Sequence, residues 1–370
     1  MSVMVTPVES EIQAILKYYR LGRLVSFERN ERGFVNTSYA LEIETNGVHR
    51  RYFLRRYKRG ILEDEIKFEH SIIKHLLAKN FKWVAPFIPA LSGETYVRHR
   101  PADGITADYY AIFEFLSGED RYTWIDPRCS RQEIANAATV LAQFHQAVSD
   151  LRPQGRKSEP KIFNLLAAMP GNLEASLSLG KDSHIENYLQ VNAFCILAHI
   201  DRTISALQEY QDYDCPQIVI HCDYHPGNLQ FIDSQVSALF DFDWSKIDLR
   251  SFDIGLALFY FFASWKEADG VLRLEGARLF LESYQSALSR REGVGVLTRA
   301  ELSCLPTMIQ AGNLYVLNWA LRDYASKAID PVEYLVYIQH CVNTIRWLEQ
   351  ERHQAALMRL VEGLLKEIDG

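Results

Sequence analysis

Hydrophobic periodicity changes once, sharply, along this 370-residue chain. Before Ser117-Gly118 the pattern is mixed, with strand-like stretches at Leu24 to Asn30, Val35 to Glu44, Arg50 to Tyr57, Thr95 to His99 and Tyr109 to Leu116. Gly33 and Asn46-Gly47 punctuate them as turns, and helical spacing covers Glu9 to Tyr19 and Leu62 to Lys79. After it the spacing is helical: Arg131 to Val148, Asn187 to Tyr210, Glu275 to Leu288, Pro306 to Tyr324, Pro331 to Leu348 and Gln354 to Ile368. One island, Ile218 to Asp253, interrupts the helices with two short apolar strand-like stretches, Ile218 to Ile220 and Val236 to Phe240. Arg152 to Lys161 reads as a polar surface loop. The expectation is an α+β fold in two domains, residues 1–116 and 117–370, the first an antiparallel sheet plus helix and the second mainly helical.

Composition narrows the function classes. Apolar residues make up 48% and charged residues 24%, which excludes disordered and fibrous chains. A net charge of -7 gives no general attraction for a phosphate backbone, so nucleic acid is not an expected partner. The run Ile254 to Trp265 is too short to span a bilayer and reads as a buried helix. Met1 to Ser10 has neither the basic nor the apolar region of a signal peptide. The six cysteines are scattered without a CxxC pair, which points to reduced thiols in a cytoplasmic protein with no membrane partner.

The island carries the chemistry. His221-Cys222-Asp223-Tyr224-His225-Pro226-Gly227-Asn228 fits H-x-D-x-x-x-x-N, and Asp241 follows the second apolar stretch. This is the spacing of a protein-kinase catalytic loop followed by a metal-binding strand end. Phosphoryl transfer needs a carboxylate to orient the attacking hydroxyl, and oxygen ligands for Mg²⁺. Asp223 suits the first task; Asn228 and Asp241 suit the second; His221 precedes the base and can brace the loop. Asp and Asn are also ordinary loop residues, and Pro226-Gly227 alone makes a turn. Two flanking apolar strands and a terminal Asp raise the pattern above chance.

Val219 to Leu229 resembles the signature of the aminoglycoside phosphotransferase/choline kinase family, small-molecule kinases with a bilobal protein-kinase-like fold. Leu239-Phe240-Asp241-Phe242-Asp243, Phe252-Asp253-Ile254-Gly255 and Leu141-Ala142-Gln143-Phe144-His145 resemble three more of its motifs, so the likeness runs from about Phe27 to Leu348. The resemblance implies ATP and Mg²⁺ as cofactors and a nucleotide-binding first domain. Arg55 stands where the family places its phosphate-binding Lys, as in choline kinase-like members, with Arg56 the alternative; strand alternation turns only one of them inward. Glu69 matches the pairing glutamate, with Glu65 one turn earlier as the alternative. Arg32 to Tyr39 replaces the Gly-rich loop, and Asn36 and Ser38 are its candidate phosphate contacts. Main-chain groups of about Glu114 to Leu116 occupy the adenine-binding hinge. Asp253 is either a helix N-cap or, by the resemblance, a brace for the loop; Asp243 is either a second metal contact or a surface charge.

Only Phe242 to Phe252 separates Asp241 from Asp253, leaving no platform for a peptide. A small hydroxyl substrate follows. The loop most resembles the homoserine kinase type II-like and stress-response kinase branch, and that resemblance implies an amino-acid alcohol such as homoserine, an amino sugar or an aminoglycoside-like compound. A protein Ser/Thr kinase and a nucleotide-binding pseudokinase regulator are the alternatives. Asn313, Tyr315, Asn318, Trp319, Arg322 and Asp323 are candidate acceptor contacts on one late helix.

Overall fold

The computed structural model describes residues 6–30, 35–100, 107–180, 182–210, 215–266, 268–288, 293–326 and 331–369. Two compact units emerge: residues 1–117 with 153–156, and residues 118–152 with 157–370.

Among the described residues the N-terminal unit is one antiparallel five-stranded sheet with two helices. Its strands are β1 (Arg23–Asn30), β2 (Thr37–Thr45), β3 (Val48–Arg56), β4 (Val97–His99) and β5 (Asp108–Glu114), in the order β1-β2-β3-β5-β4. Leu41, Ile43, Tyr52, Leu54, Tyr110 and Ile112 of the sheet share one core with Ile12 and Ile15 of α1 (Pro7–Leu16). α2 (Glu63–Ala78) buries Ile66, Phe68, Ile72, Ile73 and Leu76. The β2–β3 hairpin turns at Asn46-Gly47, both at positive φ, as a two-residue hairpin requires.

The second unit is mostly helical: α3 (Arg131–Ala147), α4 (Ile162–Leu177), α5 (Ser183–Glu209), α6 (Arg250–Phe262), α7 (Leu274–Ser286), α8 (Arg299–Ser326), α9 (Pro331–Leu348) and α10 (Glu351–Asp369). α6 is buried at all 13 residues, as its apolar run requires. Gly255 lets it touch α8, because a Cβ there would lie 2.6 Å from the carbonyl oxygen of Met308. Among the described residues no helix is long and apolar enough to cross a membrane.

The sequence reading differs from the structure in three places. α4 was not anticipated, because Pro170-Gly171 interrupts its pattern. α8 starts at Arg299, with Pro306 inside it rather than at its start. The island holds four short strands, not two: β6 (Gln217–Ile220) pairs with β9 (Lys246–Leu249), and β7 (Leu229–Ile232) with β8 (Gln235–Leu239). Strands of four or five residues are too short to show a period of two.

Candidate active site

The loop from β6 to β7 is held from below by one buried carboxylate. Asp253, in the first turn of α6 and fully buried, accepts the backbone N–H of His221 at 2.9 Å and of Cys222 at 2.8 Å. It also meets His145 Nε2 of α3 at 3.0 Å, and His145 Nδ1 lies 2.7 Å from the Tyr284 hydroxyl. Asp253 is therefore not an N-cap of its own helix; its carboxylate is spent on the neighbouring loop. Burial opposes its ionisation, but the His145 hydrogen bond and the surrounding donors prevail and hold its pKa below the ordinary carboxylate value. Cys222 needs this grip. Its φ of 62° lies in the left-handed region, unfavourable for a side chain with a Cβ, and persists because the surroundings over-determine it.

His221 is a brace. Its Nε2 lies 2.9 Å from the Phe240 carbonyl, which fixes the proton on that nitrogen. Burial pushes its pKa down, so the ring is neutral. This links the loop to the end of β8, one residue before Asp241.

Asp223 sits above these braces among donors. The Asn228 amide donates to its Oδ2 at 2.9 Å and to its backbone carbonyl at 2.9 Å. Gly227 N–H donates to His225 Nδ1 at 3.0 Å, which leaves the ring proton on Nε2, 3.5 Å from Asp223 Oδ2. Burial works against the charge, yet His225, His221 and Asn228 outweigh it, so the carboxyl pKa lies below its usual value. The group is an ionised base held in one orientation.

Asn228 and Asp241 hang from adjacent strand ends. Leu229 pairs with Leu239 in the β7–β8 ladder, and Phe240 N–H donates to the Asn228 carbonyl at 3.0 Å. Asp241 itself has φ 62°, which turns the chain sharply out of β8. With the Asn228 amide nitrogen committed twice to Asp223, the Oδ1 remains for a cation. An amide oxygen and a carboxylate suit a hard divalent ion that completes its octahedron with phosphate oxygens and water. Among the described residues no group of three or more His, Cys, Asp or Glu side chains is placed to hold a metal ion.

In the N-terminal unit, β3 separates the two candidate arginines by strand alternation. Arg55 Nη1 bonds Glu69 Oε1 of α2 at 2.8 Å, with side chains 12% and 6% exposed. Arg56 takes the opposite face, bonding Asp108 and lying 3.1 Å from Glu11. Register sets the buried Ser38 of β2 directly opposite Arg55. Asn36 Oδ1 accepts the Lys58 N–H at 3.0 Å, so it ties the end of β3. Arg32, Gly33 and Phe34 lie outside the described residues. The Glu114 N–H is donated to the Pro86 carbonyl at 2.9 Å, and Leu116 follows the end of β5.

Comparison with known proteins decides the family. A model of the phosphotransferase enzyme family matches residues 26–288. The chain belongs to this family. The phosphotransferase is 26% identical over 341 residues to a homoserine kinase of Parvibaculum lavamentivorans, covering 90% of this chain and 93% of that protein. It is 24% identical over 362 residues to a homoserine kinase of Rhizobium meliloti, covering 92% and 94%. Its fold is shared with a microcompartment-associated aminopropanol kinase (TM-score 0.68, 19% identity, 94% of this chain and 98% of that one). It is also shared with a spectinomycin phosphotransferase in complex with ADP and spectinomycin (TM-score 0.61, 15% identity, 92% and 98%). The protein-kinase-like α+β arrangement read from the sequence is thus the one this phosphotransferase has.

Of the late-helix candidates, several are structural. Asn313 donates to the Cys341 carbonyl at 3.1 Å, and Asn318 accepts from Asn172 at 2.8 Å. Arg322 lies 3.3 Å from Glu159, and Asp323 bonds Tyr334. Tyr315 packs edge-on against Phe252. Trp319 differs, because it joins an aromatic wall that sequence reasoning missed. Tyr260 contacts His225 edge-on at 5.2 Å and Trp124 at 6.1 Å. Trp124 in turn meets Trp265 at 5.1 Å, Tyr337 at 4.7 Å and Trp319 at 6.3 Å. The wall thus begins at the tyrosine that lies against His225. Tyr260 and Trp265 lay in an apolar run that reads as core, and no local signal relates Trp124 to Tyr337.

Proposed function

We propose that this phosphotransferase moves the γ-phosphoryl group of ATP to the hydroxyl of a small amino alcohol, homoserine-like in size. The observation that carries the reading is the Asp223 carboxylate, oriented by Asn228 and His225, with an aromatic wall that starts against the His225 ring. A carboxylate so held accepts a hydrogen bond from the acceptor hydroxyl, points its lone pair along the line of attack and takes its proton. His221 and Asp253 keep that carboxylate in place without touching the substrate. Aromatic faces suit the methylene stem and ammonium end of an amino alcohol better than the hydroxyl-covered faces of a polyol. The names of the relatives, homoserine kinase over about nine-tenths of the chain and aminopropanol kinase by fold, agree with this class.

Asn228 and Asp241 would hold Mg²⁺, which offsets phosphate charge when bound. Arg55, kept in place by Glu69, would bind the α- and β-phosphates through its fork of donors, with the Ser38 hydroxyl opposite. Asn36, whose Oδ1 ties the loop backbone at Lys58, would meet phosphate through its amide nitrogen. Adenine would be met by main-chain groups of Phe115 and Leu116 and by the carbonyl of Glu114, whose N–H is already committed.

The test is an ATP-consumption screen over L-homoserine, amino alcohols, choline, amino sugars and aminoglycosides. A small amino alcohol is expected to give the highest kcat/KM, and Asp223→Asn to abolish it. Transfer only to protein hydroxyls, or nucleotide binding without any transfer, would overturn the reading.

A further inference from the structure

α5 presents two apolar faces, and only one is used. Ile185, Leu189, Ile196, Ile200 and Leu207 are buried inside the C-terminal unit. On another side, Val191 is 82% exposed, Phe194 86% and Leu197 40%. An outward helix face of a monomer is normally polar, and a fully exposed Phe between two aliphatic residues marks a contact surface. Phe194 is the centre of a symmetric pattern. Asn187 and Asp201 lie seven residues before and after it, about 20° from two full turns, so the three share one line on the helix. Both polar residues are exposed.

We propose that this face binds a second copy of the chain, with the two α5 helices antiparallel about a twofold axis at Phe194. In that arrangement the two Phe194 rings pack against each other. Asn187 then lies level with the partner's Asp201 at both ends, and its amide donates to that carboxylate. A parallel pair would instead set Asp201 against Asp201, an uncompensated like-charge contact in a chain already at -7. Antiparallel helices also oppose their dipoles favourably. Two 27-residue helices meet over at most about 40 Å, and one such contact falls short of the roughly 800 Å² per partner of a standard interface. The dimer is therefore concentration-dependent, not obligate.

Sedimentation velocity on the full chain over a concentration series tests this. The wild type is expected to pass from monomer to dimer, and Phe194→Glu to weaken dimerisation roughly thirtyfold or more while thermal unfolding stays unchanged. Orientation is read separately. Asn187→Asp sets two carboxylates together and should weaken the dimer, while adding Asp201→Asn in the same chain should restore it. A wild type that stays monomeric throughout, or a Phe194→Glu dimer as tight as the wild type, overturns the surface. Failure of the exchanged pair to restore dimerisation overturns the antiparallel register.

Discussion

The two units secure their charged residues differently. In the N-terminal unit, Arg55 and Glu69 meet side chain to side chain, each borne by a regular element with its own ladder or helix bonds. In the C-terminal unit, Asp253 binds the backbone of a loop, at two successive N–H groups and beside a residue of positive φ. A side-chain pair can be removed while the chain path survives. An anchor of loop backbone cannot, because buried N–H groups lose their acceptor and the strained turn loses its support. The contrast separates residues that build the site from residues that act in it.

The largest expected effect belongs to the base. Asp223→Asn should lower kcat by roughly 10²–10⁴ with nucleotide affinity little changed, as seen in single-turnover kinetics beside calorimetric ATP titration. An equal loss in ATP binding would place Asp223 among the builders. Next comes the anchor. Asp253→Asn should cost about 3–5 kcal/mol of stability in urea unfolding, since it removes one member of a buried, charge-bearing network. If stability held and only kcat fell, the comparison between the two units would break.

Smaller is the effect of the side-chain pair. Arg55→Ala should weaken ATP binding by about 1.5–3 kcal/mol, the range for charge-assisted hydrogen bonds, and should also lower stability, because it leaves the buried Glu69 without its guanidinium. Arg56→Ala should lower stability alone, leaving the KM for ATP unchanged, because it leaves Asp108 and Glu11 without their guanidinium and lies on the other face of β3. Equal KM effects of the two variants would show that both arginines serve the nucleotide.

The smallest effect is pH dependence, and it sharpens the comparison because each unit has a buried neutral histidine. Burial lowers His70 from 6.5 to about 3 in the N-terminal unit, where it lies 2.7 Å from both Tyr57 Oη and Thr95 Oγ1. Burial lowers His199 to about 4 in the C-terminal unit. Below about pH 6.5 the unfolded chain takes up protons that the folded chain refuses, so stability falls with acid, by up to about 1.4 kcal/mol per pH unit for each group. Between pH 7 and 5, unfolding monitored for His70→Gln should show a shallower loss than the wild type. An unchanged slope would show that His70 contributes nothing to it.

Sequence alone determined whatever depends on neighbours along the chain. Asn228 reaches Asp223 because only four residues of a tight loop separate them, so spacing and geometry are one fact. The change of periodicity at Ser117-Gly118 is legible in the residues, since periodicity reports which face of each element is buried, whereas the membership of residues 153–156 in the first unit is not. The family resemblance was legible for the same reason: its densest motifs are contiguous. Tertiary structure decided what joins distant segments. It set Asp253 of α6 under residues 32 and 31 positions earlier, laid Tyr260 against His225, and built one wall from Trp124, Trp265, Trp319 and Tyr337. It also gave Arg55 to Glu69 and Arg56 to Asp108, a choice strand alternation poses but does not resolve. A pattern of alternating residues says that two side chains point apart; only the elements packed on each side of the sheet say which partner each one finds.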